Sequence, residues 1–441
     1  MPPASDTSVR RLRLMADDRE IARLALPALG ALDAEPLYVL VDTAIVGHLG
    51  VAPLAALALA GTLLGAVASL CTFLEYGGTP KVGRLYAVGD KAGAAHLGRQ
   101  GVLLGAALGV LLAVIAAALA GPLVHAFGAH GRVAPLAALY IRIAVIGLPF
   151  ALLSVAAEGY FRGVMRLRLP LQVLLGGNVL NAGLEFLFVY GFRWGIAGSA
   201  WGTVAAQAVM AGTFLALIGR GDRDQPLIDW EVLRSLARTS SEILVRTGAL
   251  YAAFLLAGAV LARIGAASLA AHQIVFQLWN ILAFALDALA IAAQVLVSHA
   301  LARSDRARAR ELATRTIAWS LAVGILFGLV MLALGGLLPH VFTSNARVLN
   351  RVHAVWWIFA AMQPVNGIVF ALDGILIGAG DTRFLAWTMV PCSLIGFAPL
   401  AILALVEHWG IVGVWLAIFA FIIARFLAAA LRFAGDAWTA H

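Results

Sequence analysis

Long apolar segments separated by short polar ones dominate the chain. A membrane-spanning helix needs about 20 consecutive, mostly apolar residues, and twelve segments reach that length. They lie at about 24–47, 52–76, 95–121, 133–158, 169–190 and 196–218, and then at 240–262, 267–297, 311–334, 349–372, 383–405 and 411–433. The pattern predicts an all-α membrane protein with twelve transmembrane helices in two six-helix lobes.

The two halves of the sequence repeat at a constant spacing of 215 residues. Gly50, Asp90, His125, Gly163 and Gly195 return as Gly265, Asp305, His340, Gly378 and Gly410. Six crossings bring the chain back to the side on which it started, so the two lobes share one orientation. We therefore expect a pseudo-twofold axis along the membrane normal, a substrate site between the lobes, and transport by rocking one lobe against the other.

The longest polar interruption runs from Gly219 to Ser240 and divides the apolar segments six and six. The predicted organisation is an N-terminal lobe (1–218), a cytoplasmic linker (219–239) and a C-terminal lobe (240–441). Within the linker, Trp230 to Arg238 fits a short helix lying at the membrane surface or a plain solvated connection.

Composition excludes a soluble domain, because 62% of the 441 residues are hydrophobic and only 12% are charged. The net charge of +8 comes from short Arg clusters between apolar segments, which is typical of topology signals and not of nucleic-acid binding. These clusters predict that both termini are cytoplasmic, and the expected location is the cell (cytoplasmic or inner) membrane. No cleaved signal peptide is expected, and Cys71 and Cys392 give no disulfide or metal-ligand spacing.

Asp42 stands inside the first apolar segment, in YVLVDTAIVGHLG. A charged Asp near the centre of a membrane helix costs roughly 2.5–3.5 kcal/mol on insertion scales, so membrane proteins retain one mainly to handle ions or substrates. We therefore interpret Asp42 as part of a coupling site. The alternative, a carboxyl group that merely holds helices together by hydrogen bonds, stays open.

Further polar residues fall at nearly the same depth on the first, fifth and sixth predicted helices. With Asp42 they form the candidate cation-coupling set: Tyr38, Asn178, Asn181, Glu185 and Thr203. Two neighbouring carboxyl groups in apolar surroundings can hold a proton near neutral pH, and the same oxygens could hold Na⁺. The repeat restricts this site to the first lobe, because Ala257, Gly396 and Leu400 occupy the positions equivalent to Asp42, Asn181 and Glu185.

Pro27 and Pro36 lie in the first predicted helix, where each removes a backbone hydrogen bond and permits a bend. The hypothesis is a hinge whose bend changes when Asp42 takes up a proton. A static kink that serves packing is the alternative.

A second polar set marks a candidate substrate cavity in the C-terminal lobe. Polar residues follow one face of the eighth predicted helix, which is typical of a helix facing a wet cavity, and others lie on the seventh and tenth. The candidates are Arg246, Gln273, Gln277, Asn280, Asp287, Gln363 and Asn366. Apart from Arg246, the groups that can be placed in the membrane are mainly acidic or amide, which suits cations better than lipid phosphates.

Several motifs resemble a known family. VDTAIVGHLG, PLAALALAG, RGVMRLRLP, NVLNAGLEFLFVYG with WGIAGSAWGT, ARIGAASLAAHQI and FALDALAIAAQ are similar to the multidrug and toxic compound extrusion (MATE) transporters, specifically their DinF-like branch. The resemblance covers nearly all of the chain and implies a twelve-helix antiporter that exchanges H⁺ or Na⁺ for organic, often cationic, compounds.

The resemblance also implies roles for particular residues. The coupling carboxylate of the first helix falls on Asp42, and its associated groups fall on Tyr38, Asn181, Glu185 and Thr203. The acid of the fifth helix is commonly Asp in the family, so Glu185 departs from the pattern and leaves the ion preference open. The seventh helix lacks the embedded acid of the sodium-coupled NorM-like branch.

The alternative function is a lipid or glycan-precursor flippase of the same superfamily, which would favour a large, Arg-lined cavity. An enzyme is not expected, because HExxH, GxSxG and GxxxxGK[ST] motifs are absent from the sequence. We expect a monomeric secondary transporter in the lipid bilayer, with small organic substrates, H⁺ favoured over Na⁺ as the coupling ion, and no cofactor, metal or nucleic-acid partner.

Overall fold

The computed structural model describes residues 4–127, 129–218 and 225–440; the side chains of residues 4–14, 33, 35–37, 40 and 440 lie outside the described part. The described residues are almost entirely helical. The first half contains α1 (Ala4–Gly47), α2 (Val51–Cys71), α3 (Phe73–Ala87), α4 (Lys91–Ala126), α5 (Val133–Ala144), α6 (Leu148–Gly163), α7 (Arg168–Phe186) and α8 (Ile196–Ile218).

The second half contains α9 (Trp230–Ile264), α10 (Ala266–Ala302), α11 (Arg306–Leu334), α12 (Leu338–Phe342), α13 (Ala346–Ala361), α14 (Gln363–Ala379), α15 (Thr382–Pro391), α16 (Ala398–Val406) and α17 (Gly410–Ala434). Short 3₁₀ segments at Val145–Gly147 and Ala437–Ala440, and π-helical segments at Leu187–Gly191 and Cys392–Phe397, complete the helical structure.

The helices reproduce the predicted membrane spans. Within the described residues, ten helical segments are long and apolar enough to cross a membrane, and α13 with α14, bent by 50°, forms an eleventh. The first predicted span, 24–47, lies inside α1. The prediction of an all-α membrane protein is confirmed.

Backbone conformation shows the repeat independently of residue identity. Five pairs of left-handed residues are each separated by 215 positions: Gly50 and Gly265, Gly89 and Ser304, Met165 and Gly380, Arg193 and His408, and Gly195 and Gly410. The aspartates at the starts of α4 and α11 also match, because Asp90 accepts from the Gly93 N–H and Asp305 from the Arg308 N–H. The same turns and caps therefore connect equivalent helices in both halves.

The chain forms two compact units. The N-terminal unit comprises Gly30–Ser241, and the C-terminal unit comprises Met1–Leu29 with Glu242–His441. The chain passes between units inside α1 and inside α9. The segment from Trp230 to Arg238, which the sequence assigned to the linker, forms the beginning of α9, a helix of 35 residues.

Glycines allow equivalent helices to approach closely in each unit. A β-carbon on Gly159 of α6 would lie 2.5 Å from the Glu75 carbonyl oxygen of α3. The equivalent Gly374 of α14 would place one 2.2 Å from the Ala290 carbonyl oxygen of α10. Small residues at such crossings are typical of membrane helix pairs, where packing replaces the hydrophobic driving force.

Candidate functional site

Five of the six polar residues predicted in the first lobe meet in the N-terminal unit, where α1, α5, α7 and α8 converge. Asp42 projects from α1, five residues before that helix ends, and only 5% of its surface is exposed. The Ser199 hydroxyl of α8 donates to Asp42 Oδ1 at 2.7 Å. A membrane carboxyl group is thus buried and has a hydrogen-bond donor.

Thr203 connects the aromatic and acidic parts of the site. Its hydroxyl lies 2.9 Å from the Tyr38 hydroxyl and donates to Glu185 Oε1 at 3.4 Å. Thr203 follows Ser199 by one helical turn, so α8 presents two hydroxyl groups on one face. Tyr38 precedes Asp42 by one turn on α1, as the sequence predicted.

Asn181 and Glu185 are neighbours on α7. With its amide nitrogen turned towards Glu185, Asn181 donates to Glu185 Oε1 at 3.1 Å and accepts from the Thr203 N–H at 3.1 Å. In this orientation both ends of the amide are hydrogen-bonded. Glu185 is fully buried, and no hydroxyl or amide of the described residues donates to its Oε2.

The two carboxyl groups lie within hydrogen-bonding reach of each other. The groups that contact them in the described part of the chain are hydroxyls, a phenol and an amide, with no Lys, Arg or His among them. A carboxyl pair without a basic partner can share a proton or hold a cation.

Sequence reasoning missed two residues of this site. Tyr140 on α5 is 4% exposed and is a polar neighbour of Asp42, Ser199 and Thr203. Ser199 could have been found from its spacing of four residues before Thr203. Tyr140 carried no such signal, because nothing in the sequence of α5 indicates which face meets α1.

Asn178 lies apart from the carboxyl groups. Its amide donates to the Ala34 carbonyl of α1 at 2.9 Å. Asn178 precedes Asn181 by one turn of α7. Its hydrogen bond joins α7 to α1, so Asn178 positions the two helices.

The candidates for the substrate cavity occupy different environments. Gln273 and Gln277 of α10 are exposed, while Asn280 and Asp287 are half-buried. Gln363 and Asn366 are buried at the start of α14, where Gln363 donates to the Phe359 carbonyl at 2.8 Å and Asn366 donates to Gln363 at 3.4 Å. The exposed part of α10 is thus the part that is accessible to a ligand.

Arg246 belongs to a buried ionic group in the C-terminal unit. Arg246 of α9 and Arg425 of α17 both donate to Asp373 Oδ2 of α14, the latter at 2.6 Å. Buried charges of this kind are normally paired, so this contact joins three helices of the unit.

Of the two predicted hinge prolines, Pro27 is buried and the side chain of Pro36 lies outside the described residues. α1 continues as one helix through both positions. The hinge stays a prediction.

Comparison with known proteins agrees with this arrangement. The MatE family model matches residues 27–187 and 248–403. The chain is 31% identical over 430 residues to Protein DETOXIFICATION 44, chloroplastic, of Arabidopsis thaliana, covering 94% of this chain and 81% of that protein. It is 27% identical over 431 residues to DNA damage-inducible protein F of Escherichia coli (strain K12), covering 95% and 92%.

Solved structures share the fold. The Vibrio cholerae MATE transporter VcmN in its bent form superposes with a TM-score of 0.87 at 20% identity, over 96% of this chain and 97% of that one. An outward-facing multidrug resistance MATE family transporter of the MOP superfamily gives 0.84 at 18% identity, over 95% and 96%. The chain therefore belongs to the MatE family of multidrug and toxic compound extrusion transporters, and its match to DNA damage-inducible protein F agrees with the DinF-like branch.

Proposed function

We propose that the protein is a proton-coupled antiporter that exports organic, mainly cationic compounds by alternating access. The observation that carries this proposal is the buried pair of Asp42 and Glu185, which has no basic partner among the described residues. We place it as a monomer in the inner membrane with both termini in the cytoplasm. It requires no cofactor besides its coupling ion.

In this mechanism the pair alternates between a proton-loaded and a substrate-competent form. When the pair is ionised, hydroxyl donors from Ser199 and Thr203 stabilise it, and a cationic substrate is attracted to the remaining charge. When a proton from outside binds, the charge that holds the substrate is removed and the substrate dissociates. The exchange of one proton for one monovalent cation moves no net charge, so the pH gradient drives it. The membrane potential would add about 2.3 kcal/mol per 100 mV only for each net charge that crosses in another stoichiometry.

Sodium is the second candidate ion, because several oxygen atoms converge at one depth in the site. Glu185 stands where the resembling family commonly has Asp, and its additional methylene changes the distance between the two carboxyl groups. The coupling ion is therefore part of the test.

The test uses proteoliposomes that carry an imposed pH gradient and an interior pH dye. Addition of a cationic dye substrate should dissipate the gradient in the absence of sodium, and Asp42→Asn should abolish this response. Asp436→Asn is the matched control, because Asp436 is an exposed carboxylate paired with Arg310 and should leave the response unchanged.

Two results would contradict proton coupling. A response that appears only with sodium would assign Na⁺ to the Asp42 and Glu185 site. A response to neither ion, together with movement of fluorescent lipid analogues, would favour the flippase function.

A further inference from the structure

A groove runs between α7 and α8 on the N-terminal unit. Its cavity volume is about 320 Å³, and its lining is mostly apolar: Leu169, Val173, Gly177 and Leu180 on α7 with Met210 and Leu217 on α8 are representative. The α7 lining residues recur at intervals of three and four, so they form one face of the helix. From Leu169 to Leu180 the groove extends about 16 Å at the usual rise per residue.

Two adjacent glycines shape this groove. A β-carbon on Gly176 would meet no atom within 4 Å, whereas one on Gly177 would lie 2.1 Å from Met210 Sδ. Gly177 therefore allows Met210 to pack against α7. Gly176 has no side chain to occupy the groove that it lines. Gly176 and Val209 are both exposed, so the groove is accessible from outside the unit.

Positive charge lies at the end of the groove where α7 begins. Arg166 and Arg168 are exposed, and Arg168 directly precedes the lining residue Leu169. Within the described part of the chain, neither guanidinium forms an ion pair. A groove that is apolar along its length and positively charged at one end suits an amphipathic anion.

The repeat shows that this arrangement is specific to the N-terminal unit. At the positions equivalent to Gly176, Gly177, Arg166 and Leu217, the C-terminal unit has Pro391, Cys392, Asp381 and Arg432. There Arg432 donates to Asp381 at 2.6 Å, and π-helix replaces the α-helix from Cys392 to Phe397. The C-terminal unit keeps an arginine, Arg383, at the position of Arg168. It has a paired aspartate in place of the exposed Arg166 and a proline in place of Gly176, where the groove of the N-terminal unit is open.

We propose that the groove binds one phospholipid with an anionic headgroup. The phosphate lies against Arg166 and Arg168, and one acyl chain follows the apolar face from Leu169 towards Leu180. Charge complementarity and the apolar lining select a lipid over a small polar anion, which would gain nothing from the groove. This proposal does not depend on the coupling ion or on the exported compound.

The lipid would act on the same pair of helices that carries the carboxyl site. Leu180 is adjacent to Asn181 on α7, and Met210 lies two turns from Thr203 on α8. An acyl chain between α7 and α8 therefore fixes the spacing of helices that hold Glu185 and Thr203 together.

Native mass spectrometry of the delipidated full-length protein in detergent, titrated with phosphatidylglycerol or phosphatidylcholine, tests the proposal. The wild type should bind one phosphatidylglycerol at least ten-fold more tightly than phosphatidylcholine. Arg166→Gln and Arg168→Gln should each weaken phosphatidylglycerol about five-fold. Gly176→Leu places a bulky side chain in the groove at a position where a β-carbon meets no atom within 4 Å, and it should abolish that binding.

Two matched variants separate the groove from general effects. Gly183→Leu adds the same side chain at another exposed position of α7 where a β-carbon meets no atom within 4 Å. Arg383→Gln removes the cation at the position equivalent to Arg168. Both should bind phosphatidylglycerol as the wild type does.

Equal affinity for the two lipids, or unchanged binding by Gly176→Leu, would overturn the proposal. The two Arg variants provide the decision if Gly176→Leu fails to fold, because they change exposed side chains. If a variant that carries both Arg166→Gln and Arg168→Gln bound phosphatidylglycerol as the wild type does, the proposed lipid site would likewise be overturned.

Discussion

Ser199 is a residue of the carboxyl site that the structure reveals and the sequence analysis did not predict. It is fully buried, and its hydroxyl donates a short hydrogen bond of 2.7 Å to Asp42. A hydrogen bond to a charged group contributes about 1.5–3 kcal/mol. The hydroxyl should therefore favour the ionised form of Asp42 and thus the release of its proton.

We predict that Ser199→Ala lowers substrate-driven proton release about ten-fold, with little change in protein yield. The measurement is the initial rate of gradient dissipation in the proteoliposome assay. Ser154→Ala is the matched control, because the buried Ser154 hydroxyl donates to the Phe150 carbonyl of its own helix at 2.9 Å. A Ser199→Ala rate equal to that of Ser154→Ala would contradict the role of Ser199.

Residue identities predicted the acidic site better than its surroundings. Asp42, Asn181, Glu185 and Thr203 could be placed because polar groups at helical spacing in apolar segments are costly to insert and therefore face one another or a cavity. The contacts of Tyr140 could not, because they depend on how α5 packs. Packing also decides that Gln363 is buried, since its spacing alone fits a cavity face equally well.

At the scale of elements, the segment that leads into α9 and the beginning of α9 pack against α3 and α4 of the same N-terminal unit through several polar contacts. Lys81 of α3 donates to the Ser235 carbonyl at 2.6 Å, and Gln100 of α4 bonds both the Leu227 carbonyl and the Asp229 N–H at 3.1 Å. From the sequence, this segment could be either a helix at the membrane surface or a solvated linker, because its composition fits both.

Asp229 joins this docking to the start of the helix. One carboxylate oxygen accepts from the Glu231 and Val232 N–H groups at 3.1 Å, and the other lies 3.2 Å from His96 Nε2. The pKa of the Asp229 carboxyl lies below its ordinary value of 3.8. The hydrogen bond from the Val232 N–H is the largest cause, and the hydrogen bond with the His96 side chain is the second. Because the folded pKa is lowered, this stabilisation is complete above pH 3.8 and is lost as pH falls through the lowered folded value.

We predict that the first amides of α9 exchange hydrogen several-fold faster, after correction for intrinsic exchange, once the pH falls below that window. Asp229→Ala should show the same fast exchange already at pH 7, while Asp229→Asn, which retains a capping oxygen, should be intermediate. Hydrogen–deuterium exchange of peptides covering residues 227–236 provides the measurement. Slow exchange in Asp229→Ala at pH 7 would argue against this cap.

The close crossings between helices make a separate prediction about stability. Gly374→Ala places a methyl group 2.2 Å from the backbone oxygen of Ala290, so α10 and α14 must separate. Overpacking of this kind costs about 1–3 kcal/mol, and the thermal midpoint in detergent should fall by several degrees.

Gly248→Ala in α9 is the matched control for this prediction. A β-carbon there meets no atom within 4 Å, so the substitution should leave the midpoint unchanged or raise it slightly through a less flexible unfolded chain. Equal midpoints for the two variants would show that the crossing tolerates a methyl group.

At the scale of the whole molecule, hydropathy and the repeat predicted the helices and their order. The spacing of 215 residues returns in the left-handed turns even where residue types differ, as at Met165 and Gly380. Hydropathy could not predict that α1 and α9 extend beyond their apolar spans, since those extensions are polar and gain their stability from tertiary contacts. The predicted spans begin at about 95 and 311, whereas α4 and α11 begin directly after Asp90 and Asp305. The strong N-cap preference of Asp is the signal that could have placed these helix starts.

The C-terminal unit also includes the first part of α1, and this has a consequence for biosynthesis. Asp17 pairs with Arg308, and Asp18 accepts from Arg315 at 2.7 Å. Asp17 and Asp18 are translated 291 and 297 residues before their respective partners. The C-terminal unit therefore cannot complete its folding from residues 242–441 alone, because it also needs a segment that is translated before the whole N-terminal unit.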